Sequence, residues 1–148
     1  GIVSDDEYLY FVDSETSSVR FVGLGRDRFV GTVVGQGLFE FGDVDGRASE
    51  VRLQHPMALE HSHNMLYVAD SYNHKIKKVD PVARTVITLF GTGKNGHHDG
   101  PGRSASFYEP SGLSIAGEKL FIADTNNNAI RVADLATQEV ITLRIEGI

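Results

Sequence analysis

The feature that most constrains the fold is a repeat, because the chain contains three copies of one unit. The copies LYFVDSETSSVRFV, LYVADSYNHKIKKV and LFIADTNNNAIRVA begin at residues 9, 66 and 120. Their aspartates, Asp13, Asp70 and Asp124, lie 57 and 54 residues apart. Residues 56–90 align with 110–144 without a gap, and 12 of those 35 positions are identical. A chain of this kind builds its fold from equal units that each contact their neighbours.

Each copy has the pattern of four short β-strands separated by turns. In the third copy the predicted strands a, b, c and d span about 112–115, 119–124, 129–133 and 139–143. Strand b is apolar at nearly every position, which is typical of a sheet that is covered on both faces. Four-stranded units of about 40–50 residues that pack face to face are the blades of a β-propeller. The prediction is an all-β chain of three four-stranded antiparallel blades, half of a six-bladed propeller.

The same alignment assigns the whole chain, residues 1–148, to a single half-propeller unit. Blade 1 is predicted at about 1–35, blade 2 at about 56–90 and blade 3 at about 110–144, with inter-blade loops at 36–55 and 91–109. Propellers close on about 4–8 blades, so three blades leave apolar outer faces on the first and the last copy. We expect these outer faces to be covered in one of two ways. Either a second copy covers them, in a homodimer that closes a six-bladed ring, or the rest of a longer propeller chain does. We favour the homodimer.

Charge and composition exclude several classes of partner and of chemistry. The 14 lysines and arginines and the 20 aspartates and glutamates give a net charge of −6, so nucleic acid and anionic membranes are not expected partners. The absence of cysteine excludes disulfides, thiolate metal sites and cysteine catalysis. No segment has the pattern of a signal peptide or the length of a transmembrane helix, so we expect a soluble protein of unassigned compartment.

The sequence motifs that recur in the copies resemble those of a known protein family. The pattern Pro-x-Gly/Ala-Leu, followed by Leu-Tyr/Phe-x-Ala-Asp-Ser/Thr-x-Asn-x-x-Ile-Lys/Arg, occurs at 56–77 and 110–131 and in a weaker form at 1–20. It resembles the NHL repeat. Five segments of the chain are similar to segments of the NHL proteins that carry a fused thioredoxin domain. They are FGDVDG, LQHP, ADSYNHKIKKVDP, GTGKNG and ADTNN. The resemblance implies a piece of such a propeller, and no redox function is carried over to this chain.

One face of the predicted propeller collects the candidate binding residues. The inter-blade loops and the turns between strands b and c emerge together around the central channel, and we call this the loop face. Positions that differ between the copies are better candidates for function than positions that recur. The candidates for binding a ligand or a protein partner are His55, Tyr72, Asn73, His74, Lys75, His97, His98, Asn126 and Asn128.

The histidines of the loop face raise the alternative of a divalent metal site. Their spacing does not support it, because no His-x-His pair lies on a rigid strand there, and His61-Ser62-His63 falls in a turn on the opposite face. The glycine-rich word GTGKNG lacks the ending of a phosphate-binding loop. We therefore expect no metal and no cofactor. The weak candidates for metal ligands are His55, His74, His97 and His98, with Asp43, Asp45, Asp70 and Asp99 nearby.

Residues that recur in the copies are expected to be structural. A catalytic residue normally occurs once, whereas these aspartates recur and are expected to accept amide hydrogen bonds of the b–c turns. These structural residues are Asp13, Asp70, Asp124 and Asn127. Basic residues are expected on a solvated strand face, at Lys75, Lys77, Lys78, Arg84 and Arg131. Core positions are predicted at Leu66, Val68, Leu120, Ile122 and Ile130.

Two function classes follow from the sequence. The favoured one is a non-catalytic NHL-type propeller module that binds or scaffolds a protein or a ligand, with no catalytic residue. The alternative is a metal-dependent lyase or lactone hydrolase with histidine ligands on the loop face, an activity implied by some related six-bladed propellers.

Overall fold

The computed structural model describes residues 1–147, which form three antiparallel sheets, one for each copy of the repeat. Blade one contains β1 (Ile2–Ser4), β2 (Tyr8–Asp13), β3 (Ser18–Gly23) and β4 (Val30–Val34), in that spatial order. Blade two contains β5 (Gly46–Arg47), β6 (Ala58–Ser62), β7 (Met65–Asp70), β8 (Lys75–Asp80) and β9 (Thr85–Phe90). Blade three contains β10 (Gly100–Pro101), β11 (Pro110–Ala116), β12 (Lys119–Asp124), β13 (Ala129–Asp134) and β14 (Glu139–Thr142). The all-β prediction is confirmed.

Blades two and three each have a fifth strand that the sequence pattern did not predict. The spatial orders are β5-β9-β8-β7-β6 and β10-β14-β13-β12-β11, so the extra strand lies at the outer edge. It consists of two residues from the preceding loop, and its glycine pairs with Val86 in blade two and with Val140 in blade three. Gly46 and Gly100 both have a φ of 148°, which other residues rarely adopt. The Asp-Gly sequence in each of the two loops therefore marks the position of the added strand.

Short 3-10 helices connect the second and third long strands of blades two and three. Ser71–Asn73 joins β7 to β8, and Thr125–Asn127 joins β12 to β13. Each turn ends in a left-handed residue, His74 at φ 54° and Asn128 at φ 50°, whose amide donates back to the first carbonyl of the helix. Two further 3-10 helices lie in the inter-blade loops, at Ala48–Glu50 and Gly102–Ser104. Across the described residues, no helix has the length and apolar character needed to cross a membrane.

The hydrophobic core consists of two layers, one between each pair of neighbouring blades. The predicted core residues Leu66, Val68, Leu120 and Ile122 are all completely buried, as expected. Each layer also takes two side chains from the inter-blade loop, which we call plug residues. They are Val51 and Leu53 in the first layer, and Ala105 and Phe107 in the second.

Two expectations about burial were wrong. Ile130 is 38% exposed, whereas Ile76 at the same position of blade two is 0% exposed, because blade three packs over Ile76 and no described sheet covers Ile130. Lys77 and Arg131 were expected in solvent but are both 0% exposed, and Lys75 is also buried. Their charges are neutralised by carboxylates, as shown below. Lys78 is half-buried, and Arg84 is exposed as expected.

Candidate functional site on the loop face

The recurring aspartate of blade two lies in a buried network of charges. Lys77 Nζ is 2.7 Å from Asp43 Oδ1, 2.9 Å from Asp45 Oδ1 and 3.6 Å from Asp70 Oδ2. Lys75 also donates to Asp43. Because Asp43 and Asp45 belong to the inter-blade loop, the network fastens this loop to the strands of blade two.

In blade three, Arg131 takes the place of Lys77 and fastens the inter-blade loop in the same way. We call this arrangement, a buried basic side chain bonded to carboxylates of the strand and of the loop, a clamp. The Arg131 guanidinium donates to Asp124 Oδ2 and to Asp99 Oδ1, both at 2.7 Å. It also donates to the carbonyl oxygens of Ser106 and His98, each at 2.9 Å. The guanidinium carbon lies 5.2 Å from the centre of the Phe107 ring, within the range of a cation–π contact.

The recurring carboxylates also hold the loop by its backbone. Oδ1 of Asp70 accepts the Gln54 amide and Oδ1 of Asp124 accepts the Tyr108 amide, both at 2.7 Å. The second oxygen of each accepts an asparagine side chain at 2.8 Å, Asn73 in blade two and Asn127 in blade three. The carboxylates therefore hold the incoming loop and not the amides of the b–c turn. Among the described residues the expected bond occurs in blade one only, from the Thr16 amide to Asp13 Oδ1 at 3.1 Å.

Burial shifts the protonation of the blade-two network. Burial raises the pKa of Asp70 to about 6, although Lys77 acts in the opposite direction. Burial alone would lower the pKa of Lys77, but the carboxylates of Asp70, Asp43 and Asp45 together raise it. Burial alone would also raise the pKa values of Asp43 and Asp45, and hydrogen bonds from the lysines lower both instead. Asp43 and Asp45 therefore carry the charge that balances Lys77, and Asp70 is the one carboxyl of these three whose pKa is raised.

The most exposed candidate of blade two is part of a stacked pair. The rings of His55 and Tyr72 lie 4.5 Å apart with an interplanar angle of 19°. The His55 amide donates to Ser17 Oγ at 3.2 Å, which ties this pair to the b–c turn of blade one. Tyr72 is 49% exposed, so an aromatic surface faces solvent on the loop face.

The equivalent positions of blade three carry a polar pair. Asn126 donates to Glu109 Oε2 at 2.9 Å, and the Glu109 amide donates to His74 Nδ1 at 3.1 Å. The His74 ring meets the Tyr108 ring edge-on at 5.6 Å. Tyr108 and Glu109 were not among the predicted residues. Their signal was positional, because they occupy the places of Gln54 and His55 in the loop before the blade.

The remaining candidates do not gather into one site. Asn73 and Lys75 are buried in the charge network, and Asn128 is exposed at the edge of blade three. The His97 ring shares a hydrogen bond with Thr142 Oγ1 at 3.1 Å, while His98 contributes its carbonyl to Arg131. Within residues 1–147, no three histidine, aspartate or glutamate side chains converge as a metal site requires.

Comparisons with known proteins were made for the whole chain. No protein-family model matches it. The chain is 45% identical over 154 residues to SUPPRESSOR OF QUENCHING 1 of Arabidopsis thaliana and 46% identical over 156 residues to NHL repeat-containing protein 2 of Homo sapiens. Each alignment covers 97% of the chain. The chain belongs to the NHL-repeat β-propeller proteins. It spans 15% of the Arabidopsis protein and 21% of the human one.

Solved structures show the same fold at lower identity. An auxiliary nutrient binding protein from Bacteroides ovatus superposes with a TM-score of 0.71 at 21% identity, over 97% of this chain and 37% of that one. A chain of the nidogen/laminin complex superposes with a TM-score of 0.68 at 17% identity, over 98% of this chain and 46% of that one. The predicted resemblance to NHL repeats and the predicted propeller-type fold are confirmed.

The chemistry available on these NHL blades separates into two kinds. The recurring charged groups of blades two and three fasten the loops, and among them Asp70, Lys77, Asp124 and Arg131 are completely buried. The groups that reach solvent are the exposed Tyr72, stacked on the half-buried His55, and the exposed Asn126, bonded to the half-buried Glu109. An aromatic face beside hydrogen-bonding groups suits recognition of a polar organic ligand or a peptide.

Proposed function

We propose that these NHL blades form a non-catalytic binding module whose loop face receives a protein or a small ligand. The observation that carries the proposal is the stacked pair of His55 and Tyr72, which differs between the copies, contributes to neither core layer and exposes the Tyr72 ring to solvent. A side chain kept on the surface without a packing role is a candidate for binding. The buried clamps below it hold this surface in one conformation.

The binding proposal is tested with a matched pair of variants. Tyr72→Ala removes the aromatic face, and Glu15→Ala changes the equivalent b–c turn position of blade one. Wild type and both variants are applied to peptide and glycan arrays after their thermal stabilities have been compared. We expect Tyr72→Ala to lose the wild-type spots and Glu15→Ala to keep them. Unchanged binding by Tyr72→Ala would remove the loop-face site from consideration.

The non-catalytic part of the proposal needs its own measurement. The loop-face histidines contact separate neighbours, so we expect no turnover of ester or lactone substrates above the protein-free background. Protein purified without added metal is analysed for zinc and calcium in parallel. Stoichiometric metal together with turnover that is lost in His55→Ala or His97→Ala would establish the hydrolase alternative instead.

We also propose that the outer face of blade three is an assembly face and that a second copy covers it in a six-bladed ring. Phe121, Ala123 and Ile130 lie where Tyr67, Ala69 and Ile76 are buried in blade two, yet Ala123 and Ile130 are exposed. Light scattering at micromolar concentration is expected to give twice 16.2 kDa for the wild type. Ile130→Asp is expected to give a monomer, and Val82→Asp, in an exposed turn, to remain dimeric. A monomeric wild type would contradict the ring.

A further inference from the structure

Blade one carries a row of four aromatic rings that the other two blades do not repeat. The Tyr8 ring centre lies 6.0 Å from that of Tyr10 and 5.5 Å from that of Phe21, and Phe21 lies 5.6 Å from Phe29. The equivalent residues are Met65, Tyr67, Lys78 and Thr85 in blade two, and Lys119, Phe121, Val132 and Glu139 in blade three. Only Tyr10 has aromatic counterparts, so the packing that the blades share does not account for the other three rings.

A glycine makes room for this aromatic row. Phe21 pairs with Gly31 across β3 and β4, at the place where Lys78 pairs with Ile87 in blade two. A Cβ atom at residue 31 would lie 2.5 Å from Cζ of Phe21, so any other residue would displace the ring. Gly31 is not among the glycines with a positive φ, and its backbone conformation therefore does not require glycine. The ring that lies on its backbone explains the glycine.

The aromatic row forms one wall of a cavity between blades one and two. The volume of the cavity is about 480 Å³, within the range of small-molecule sites. The turn between β8 and β9 of blade two lies opposite the rings. The lining residues include Tyr8, Tyr10, Phe21, Pro81, Val82 and Arg84. Both walls belong to the described chain, so the cavity does not depend on what covers the outer faces of blades one and three.

Arg84 places a positive charge at this cavity. Its Nε donates to the carbonyl oxygen of Val33 at 2.9 Å, a bond that joins the turn of blade two to β4 of blade one. Within residues 1–147, no carboxylate forms an ion pair with this guanidinium, whereas Arg20, Arg52 and Arg131 each pair with one. Because Nε makes the bond to the backbone, the two terminal nitrogens are available to an anion in the cavity.

No acidic side chain opposes Arg84 among the described residues that line the cavity. Asp5 acts on the aromatic wall from behind, at the Tyr10 hydroxyl. Its Oδ1 accepts the amides of Glu7 and Tyr8 at 2.8 and 2.6 Å. Burial, together with Asp5, raises the pKa of Tyr10 to about 12, so its hydroxyl stays neutral. Arg84 is therefore the charged group that selects a ligand here.

We propose that this cavity binds a small organic anion with an aromatic body, such as an aryl carboxylate. The aromatic body packs against the rings of Tyr8 and Phe21, and the carboxylate accepts hydrogen bonds from the terminal nitrogens of Arg84. An aromatic wall by itself also suits a cation, but Arg84 repels one. The cavity lies at the ends of the strands away from the loop face, so the inference goes beyond the proposed function.

The test uses cinnamate, titrated into the whole chain and followed through the amide signals in NMR spectra. We expect saturable binding that shifts the amide signals of Gly31, Thr32 and Arg84. Cinnamamide has the same shape without the charge, and it is expected to bind at least about tenfold more weakly because the charged hydrogen bond is lost. Absence of saturable binding, equal affinity for the two compounds, or shifts confined to other amides would overturn the proposal.

A single variant identifies the charged group. Arg84→Gln introduces the residue that blade three has at the equivalent position, Gln138, and the two positions have similar φ values of 58° and 64°, so the fold should be retained. It is expected to weaken cinnamate binding by at least about tenfold and to leave cinnamamide binding unchanged. Arg28→Gln, at an exposed arginine between β3 and β4, should bind both compounds like the wild type. Wild-type affinity of Arg84→Gln for cinnamate would overturn the proposal.

A double variant tests the aromatic wall. Phe21→Val together with Gly31→Ile gives blade one the cross-strand pair that blade three has at Val132 and Ile141, so the sheet should still form. Because the ring is removed and a branched side chain enters the cavity, binding of both compounds is expected to fall at least about tenfold. Thermal unfolding verifies that the variant is folded. A folded double variant with wild-type affinity would place the ligand elsewhere and overturn the proposal, and Arg84→Gln decides the matter if the double variant does not fold.

Discussion

One position of the repeat is basic in every copy, and its chemistry differs from blade to blade. The two terminal nitrogens of Arg131 donate to two carboxylates and two carbonyl oxygens, while its buried Nε has no partner among the described residues. Lys77 is a more compact charge, and blade two surrounds it with Asp43 in addition to Asp45 and Asp70. Blade three has His97 where blade two has Asp43. An arginine therefore completes the clamp with fewer acids than a lysine needs.

The raised pKa of Asp70 predicts a pH dependence of stability. Because its pKa of about 6 in the fold lies above the ordinary value of 3.8, the favourable contribution of its protonated form is complete below 3.8 and is lost as the pH rises through 6. Urea denaturation from pH 4 to pH 7 should therefore show the wild type losing stability relative to Asp70→Asn, by on the order of 1–3 kcal/mol. Asp43 and Asp45 have lowered pKa values, so their contribution is lost below 3.8.

A direct measurement separates Asp70 from its neighbours. The carboxyl carbon of Asp70, followed by NMR, is expected to titrate near pH 6, and its signal should be absent from Asp70→Asn. A titration below pH 4, together with a stability difference that does not vary with pH, would show that Lys77 compensates the buried carboxylate more completely than we infer.

At the residue scale, the sequence predicted a structural role for the recurring aspartates but not the nature of their contacts. Repetition showed that Asp70 and Asp124 are needed in each copy. It could not show that they accept amides from a loop 16 residues earlier. Lys77 and Arg131 were misplaced because a basic residue in a strand is usually solvated. The available signal was that a basic residue follows the aspartate by seven positions in all three copies.

The strands show how position within the stack decides burial. Strand b of blade three was predicted with correct ends, because an apolar run bounded by turn residues fixes both limits. The two-residue strands β5 and β10 were not predicted, since a pair of residues has no periodicity and the strand depends on a neighbour. Ile130 was misassigned for a related reason. Its sequence environment matches that of Ile76, and only the number of covering sheets differs.

This difference predicts unequal costs for one substitution at two equivalent positions. Ile76→Ala removes a completely buried side chain between blades two and three, so it should lower the free energy of unfolding by about 2–4 kcal/mol. Ile130→Ala removes a side chain that is 38% exposed and should cost about 1 kcal/mol in the monomer. Urea denaturation at the lowest usable protein concentration gives both values. Equal costs would indicate that Ile130 is covered even in the monomer.

At the scale of the whole molecule, stability depends on how many neighbours each blade has. In the described chain blade two is covered on both faces, while blades one and three each have one covered face. The sequence was sufficient to predict this stack, because the repeat gave the number of blades and the apolar strands gave their mode of packing. It was not sufficient to assign the covering partner, because the apolar pattern of an outer face is the same whether a second copy or another part of a longer chain covers it.

The stack predicts a gradient of hydrogen exchange along the chain. In a repeat protein the terminal units open without disturbing the central one, so protection should be highest in β7 and β8 and lower in β4 and β14. Exchange followed by mass spectrometry at low protein concentration measures this order. Raising the concentration should then slow exchange in blade three, if a second copy covers the face that includes Ile130, while Ile130→Asp should show no such change. Uniform protection across the three blades at low concentration would mean that they unfold as one cooperative unit, and the nearest-neighbour account of this chain would be wrong.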